Sequence, residues 1–206
     1  MMNRKIPKIM HHVWLGPNAL PKPEQSYIDS WKEHHKDYDF MIWHDKDIKS
    51  LNLNENCLEA MKKAEPFYAC QADIIRYIVI QKFGGIYIDT DVQCYRNIDD
   101  LLTEKLEFIG LRPHRGNWMT NAFFGSEENS EMLKIVIKNI TGVQHRVRNP
   151  YGPTYLTKNV RRYFNFMQGE VDHVKKDNVK ILPCSFWGHK NKDAYCKHYF
   201  KASWRK

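Results

Sequence analysis

The chain has 206 residues, 42% hydrophobic and 27% charged, which suits one folded domain rather than a disordered chain. Its five cysteines are odd in number and show no CxxC pair, which argues against a disulfide framework or a structural zinc site and for reduced cytosolic thiols. The net charge of +8 is spread along the chain in short clusters such as Arg161-Arg162 and Lys175-Lys176, so nucleic acid is not the expected partner.

The N-terminus is basic but lacks an apolar core and a cleavage site, so no signal peptide is expected. No apolar run approaches the ~20 residues that span a bilayer. "KIMHHVWLG" (8–16) reads as a first strand bounded by Pro7 and Gly16-Pro17, with His11-His12 structural and one of the two buried. A proline-rich loop (17–25) leads to a helix over 26–35, then a strand over 38–45 and a short amphipathic helix over 55–64. "FYACQADIIRYIVIQKF" (67–83) is the strongest helix signal, with Pro66 suited to its first turn and Gly84 to its C-terminal cap. The strand "IYIDTDV" (86–92) follows at once. Further strands are expected at 107–111, 121–125 and 179–183, and helices at 126–140 and 153–164. The tail from Ala194 is polar and aromatic with little period. Strands alternating with helices predict an α/β fold with a mostly parallel central sheet flanked by helices.

Asp89 and Asp91 stand at the end of that central strand. If the strand persists through residue 91, both carboxylates point the same way. They then lie at the carboxyl edge of the sheet, where open α/β folds bind ligands. Two bare carboxylates repel each other, and a hard cation such as Mg²⁺ or Mn²⁺ removes the conflict while leaving positions for diphosphate oxygens. A polar strand end feeding a turn is the bland reading of a lone DxD. The unbroken succession of amphipathic helix, Gly-Gly, apolar strand and DxD favours the metal. Tyr87, two residues before Asp89, lines the same site or packs. Asp73 and Arg76 share one face of a helix that is otherwise nearly apolar, where a charged pair is costly unless used.

"QADIIRYIVIQKFGGIYIDTDV" (71–92) resembles the DxD-containing glycosyltransferases of family 32, with more distant similarity to the clostridial glucosylating toxins. "IPKIMHHVWLG" (6–16), "SWKEHHKDYDFMIWHD" (30–45), "NAFFGS" (121–126), "GPTYLT" (152–157) and "SW" (203–204) match in the same order. The resemblance implies a GT-A fold over a single domain, 1–206. Residues 184–206 would form a C-terminal segment closing over the nucleotide. It implies a retaining transferase dependent on Mn²⁺ or Mg²⁺. By position, Asp91 binds the metal directly, Asp89 contacts the ribose or the metal, and Asp73 and Arg76 hold the transferred sugar. Trp14 stacks on the base or belongs to the core, and Asn121 lies near the donor sugar. "CKHYFKASW" departs from the commoner "HHWxxSW": Lys197 replaces a His and Tyr199 a Trp. That leaves His198 as the metal ligand, against the reading of a solvated tail histidine. Ser203 and Trp204 are the implied contacts to metal and diphosphate.

The reaction so implied moves a hexose from a nucleotide sugar, with UDP preferred over GDP, to a glycan, lipid-linked glycan or protein. A double displacement needs a carboxylate on the opposite face of the sugar, and the sequence offers none. The resemblance implies reaction on the same face, with the departing phosphate taking the acceptor proton. The rival readings are a metal-dependent phosphotransferase or nuclease and a basic nucleic-acid-binding module. The first needs a further acidic cluster, and Asp99-Asp100 reads as a helix start instead. The expected location is cytoplasmic, with peripheral contact to an anionic inner membrane leaflet through the basic surface.

Overall fold

A computed structural model describes residues 4–112, 119–141, 150–165, 175–176, 178–188 and 194–201. Strand β1 (Ile9–Val13) pairs in parallel with β2 (Asp39–Trp43) on one side and β3 (Gly85–Ile88) on the other. Helix α1 (Lys22–His34) joins β1 to β2 and begins inside the segment expected as loop. Pro23 permits this, because the first turn of a helix has no intrahelical use for its N–H. Helices α2 (Glu55–Lys63) and α3 (Tyr68–Phe83) precede β3. Phe67 caps α3, so Pro66 lies just outside it, while Gly84 ends it as expected at φ 63°.

The expected strand over 86–92 is two strands. β3 stops at Ile88, and β4 (Val92–Cys94) begins after a turn that contains Asp89, Thr90 and Asp91. Strands β5 (Phe108–Leu111) and β6 (Thr120–Ser126) follow. Helix α4 (Glu131–Lys138) starts later than 126, because the chain up to Ser126 is still paired with Gly85 and Phe108. Its N-cap is Ser130, whose hydroxyl accepts from the Leu133 N–H. Helix α5 (Pro153–Phe164), β7 (Lys175–Lys176), β8 (Val179–Leu182) and β9 (Cys196–His198) complete the elements.

The main sheet has seven strands in the order β2-β1-β3-β6-β5-β8-β7. The pairings make β2, β1, β3, β5 and β8 run one way and β6 and β7 the other. The expected mostly parallel sheet is therefore present. Because β6 runs against β3, its first residues, Thr120 and Asn121, begin at the edge where β3 ends. A separate two-stranded ribbon pairs β4 with β9.

Apolar side chains cover both faces of the sheet. On one face lie α2, α3, α4 and α5, with Ile75, Val79, Leu133 and Val136 fully buried. On the other lie α1 and the ribbon, with Trp31, Ile86, Phe123 and Cys196 buried. Helix α3 is buried without a break from Gln71 to Ile80, as a helix apolar around most of its circumference must be. Both His11 and His12 are fully buried, rather than one of them, because β1 is covered on both faces. Their ring N–H groups donate to the Gly84 carbonyl at 3.0 Å and the Ile88 carbonyl at 2.8 Å, the two residues that bracket β3. Trp43 Nε1 donates to the other nitrogen of His11 at 3.0 Å. Burial lowers both imidazoles, His11 to about 4 and His12 to about 3.

Candidate active site

The carboxyl end of β3 delivers Asp89 into a turn, and the start of the ribbon delivers Asp91. Contrary to expectation, Asp89 and Asp91 do not share a face through strand pleat, because the strand has ended before Asp89. Convergence comes from the turn and from β9. Val92 N–H donates to the Asp89 carbonyl at 3.2 Å, closing the turn. His198, directly opposite Val92, brings its Nε2 to 3.0 Å from Asp91 Oδ1. One ligand atom from each of Asp89, Asp91 and His198 lies within 4.8 Å of the others. His198 is thus a buried member of the cluster and not a solvated tail residue.

Asp91 is held at three points. The Tyr199 N–H donates to its carbonyl at 3.0 Å, and the Lys201 N–H donates to its Oδ2 at 2.9 Å. The third is the His198 contact. Burial pushes its carboxyl up, but His198 and the Lys201 amide outweigh this and hold it below the ordinary carboxylate range. Asp89 Oδ1 accepts from the Tyr87 hydroxyl at 2.7 Å and lies 3.1 Å from Arg76 Nη1. Tyr87 thus does both things the sequence left open: its hydroxyl touches Asp89 and its ring packs in the core.

Helix α3 supplies the other half. Arg76 Nη2 pairs with Asp73 Oδ1 at 2.8 Å, and Arg76 Nη1 donates to the Asn121 carbonyl at 2.7 Å. Asn121 Nδ2 donates to Asp73 Oδ1 at 2.7 Å. The Arg76 guanidinium also lies over the Tyr87 ring, 4.5 Å from its centroid. Burial opposes the charge of Arg76, but Asp73 and Asp89 outweigh it and keep the group above its ordinary range. Burial likewise lifts the Tyr87 phenol well above its usual value, so it remains a donor.

Trp14 follows the last residue of β1, at the same sheet edge, half-buried, with Nε1 donating to the Asn18 carbonyl at 2.8 Å. Ser203 and Trp204 lie outside the described residues. Asp99 begins a short 3₁₀ turn as expected (Asp99–Leu101) and is tied to Arg4 at 2.6 Å and to Tyr38 at 2.5 Å, away from the DxD.

Sequence reasoning missed Glu24 and Lys201. Glu24 is buried at 5% exposure on α1, and Lys201 Nζ reaches its Oε1 at 3.2 Å. Beside them Tyr27 and Tyr199 stack at 4.5 Å between ring centroids. A buried glutamate in the first turn of a helix carries no local signal, because its partner is 177 residues away.

The donor set of two carboxylates and an imidazole fits a divalent cation of the Mn²⁺ or Mg²⁺ type. His198 Nδ1 is buried and has no hydrogen-bond partner among the described residues. The site also carries three carboxylates (Asp73, Asp89, Asp91) against one fixed cation, Arg76, which leaves a deficit a cation would fill.

A family model described as the glycosyltransferase sugar-binding region containing DXD motif matches residues 21–107. The inositol phosphoceramide mannosyltransferase 1 of Schizosaccharomyces pombe is 25% identical over 204 residues, covering 97% of this chain and 62% of that protein. An uncharacterized glycosyltransferase of Acanthamoeba polyphaga mimivirus is 26% identical, covering 97% of this chain and 84% of that protein. A mannosyl phosphorylinositol ceramide synthase of Saccharomyces cerevisiae is 32% identical, covering 74% of this chain and 39% of that one. The chain thus spans less than two thirds of the two ceramide-linked relatives. Among solved structures, the PaToxG glycosyltransferase superposes with a TM-score of 0.66 at 18% identity, over 81% of this chain and 72% of that one. A glycosyltransferase involved in glycosylation of the major capsid of PBCV-1 does so with a TM-score of 0.50 at 14% identity, over 93% of each chain. The shared fold is the GT-A architecture expected from the sequence.

Proposed function

We propose, from the premise that residues 21–107 belong to the DXD-containing glycosyltransferase sugar-binding family, that the chain is a metal-dependent retaining hexosyltransferase using a nucleotide sugar. The observation that carries this is the meeting of Asp89, Asp91 and His198 within 4.8 Å, beside the buried Asp73–Arg76–Asn121 network.

Asp89, Asp91 and His198 would hold the cation, which supplies positive charge for a diphosphate and stabilises it as a leaving group. Asp73 and Asn121 fix each other and present a carboxylate oxygen and an amide to sugar hydroxyls. Arg76 cannot swing, because Asp73, Asp89 and the Asn121 carbonyl hold its guanidinium. A buried cation so fixed stabilises charge developing at the bond to the leaving group without reorganising. Trp14 offers a ring to the base. With no further carboxylate placed as a nucleophile among the described residues, the acceptor hydroxyl attacks on the face the diphosphate leaves in this reading, and the diphosphate takes its proton.

The donor is a UDP-linked hexose in this reading. Among glycan, lipid-linked and protein acceptors, the lipid-linked class comes first, because two of the relatives are named for ceramide lipids bearing inositol phosphate. No described helix is long and apolar enough to cross a membrane. The net charge of +8 would favour contact with an anionic membrane surface that presents such an acceptor. The phosphotransferase reading has less support, since Asp89, Asp91 and His198 form the one such cluster among the described residues.

A thermal-shift series with Mn²⁺, Mg²⁺, UDP, GDP and their hexose conjugates tests the proposal, coupled to chromatography of the released nucleotide. We expect a nucleotide-dependent rise in Tm that requires the metal, and release of free UDP from a UDP-hexose. Nucleotide binding indifferent to metal, or release of inorganic phosphate alone, would overturn it. Flotation with liposomes with and without anionic lipid tests the membrane contact, and equal recovery would discard it.

A further inference from the structure

We propose that Cys94 and Cys196 form a reversible disulfide that fastens β9 to β4 and fixes His198 beside Asp91. The two residues are direct partners across the ribbon. Tyr95 N–H donates to the Tyr195 carbonyl at 2.8 Å and Tyr199 N–H to the Asp91 carbonyl at 3.0 Å. These make 95/195 and 91/199 hydrogen-bonded pairs. By the alternation of an antiparallel ladder, 92/198 and 94/196 are the non-hydrogen-bonded pairs, in which Cα atoms lie about 4.5 Å apart and side chains approach most closely. A disulfide spans Cα separations of about 4.4–6.8 Å.

Both thiols are free, and both point into the same apolar cluster at 3% and 0% exposure. The Cys94 thiol donates to the Arg96 carbonyl at 3.2 Å, a weak bond given up when its sulfur rotates toward Cys196. The other cysteines are elsewhere: Cys57 on α2, Cys70 on α3 and Cys184 in a short 3₁₀ turn. The ribbon is only three residues long on each strand, with one further bridge from Trp187 to Cys196. With so few ladder hydrogen bonds joining the two strands, a covalent link between them adds leverage to their pairing.

Forming the bond removes two protons and two electrons from the thiols. A small-molecule disulfide takes them and becomes two thiols. While β9 is open, one cysteine attacks the oxidant to give a mixed disulfide. The second cysteine then displaces the remaining small thiol and the S–S bond closes.

The test incubates the full chain in glutathione buffers of rising oxidised fraction, with sub-denaturing urea to open the ribbon. Alkylation, peptide mapping and amide hydrogen exchange follow. We expect a Cys94–Cys196 cross-linked peptide, absent from Cys94→Ser and Cys196→Ala. We also expect exchange at the Tyr199 and Lys201 amides, both donors to Asp91, to slow at least about tenfold on oxidation. Persistent glutathione adducts, linkage to another cysteine, no linkage under any buffer, or unchanged exchange at those two amides would each overturn the proposal. None of these readouts depends on sugar transfer, so failure here and failure of the proposed function are read separately.

Discussion

Asp89 is oriented before any ligand arrives, by the Tyr87 hydroxyl and by Arg76. Tyr87→Phe removes one donor and leaves the ring under Arg76. We expect metal affinity to fall about 10–100-fold, as for other groups that orient a ligand, with a loss of about 1 kcal/mol in stability. Manganese titration followed by thermal shift, compared with urea unfolding, checks both. Asp91→Asn keeps the shape of the site and removes its charge. Nucleotide-sugar turnover should drop below detection while the fold survives, and full activity with metal still bound would reject the role given to Asp91. At this scale much was legible. Asp73, Arg76, Asp89, Asp91, Asn121 and His198 do come together. Glu24 and Lys201 were not legible, because the pair is made by distant segments with no shared pattern.

The glycines between α3 and β3 set the angle at which the strand enters the sheet. Gly85 has φ 93°, and a Cβ there would run into the Ile9 carbonyl of β1. Gly85→Ala should therefore cost about 3 kcal/mol or more, through left-handed strain and a backbone clash together, read as a fall in Tm with lost metal binding. Helix α3 was legible because a long apolar run ends on a glycine. The split of 86–92 into two strands was not, since Ile, Tyr, Thr and Val favour extended structure and mask the turn that Asp89 and Asp91, both turn formers, make after Ile88. Strand β9 was hidden for a related reason. Three residues give no measurable period, and its partner lies 102 positions earlier, from Cys196 back to Cys94.

The whole molecule carries a pH signature from the two histidines that bracket β3. Their folded values, about 4 and about 3, lie below the unfolded value of 6.5, so the unfolded chain binds more protons. The stability they confer is complete above pH 6.5 and is lost as pH falls through that window to about 4 and about 3. Near pH 5.5 the two together give a slope of about 2 kcal/mol per pH unit. Asp99, held near 2 by Tyr38, Arg4 and Lys8 against the effect of burial, adds a further loss between 3.8 and about 2. Urea midpoints at a series of pH values check the slope, and His11→Gln should flatten it by about half. The layered architecture and the majority strand direction were readable from alternating helices and strands; the reversed β6 was not, since direction leaves no mark on composition.

That reversal has a consequence for how such a site could change over time. The carboxylates proposed to hold a cation come from the turn between β3 and β4, while Asn121 comes from where a neighbour of opposite polarity starts. Drift in the stretch leading into Asn121 can reshape what the pocket admits while the ionic clasp stays untouched. Recognition and anchorage are thereby inherited from separate pieces of chain, free to vary at different tempos.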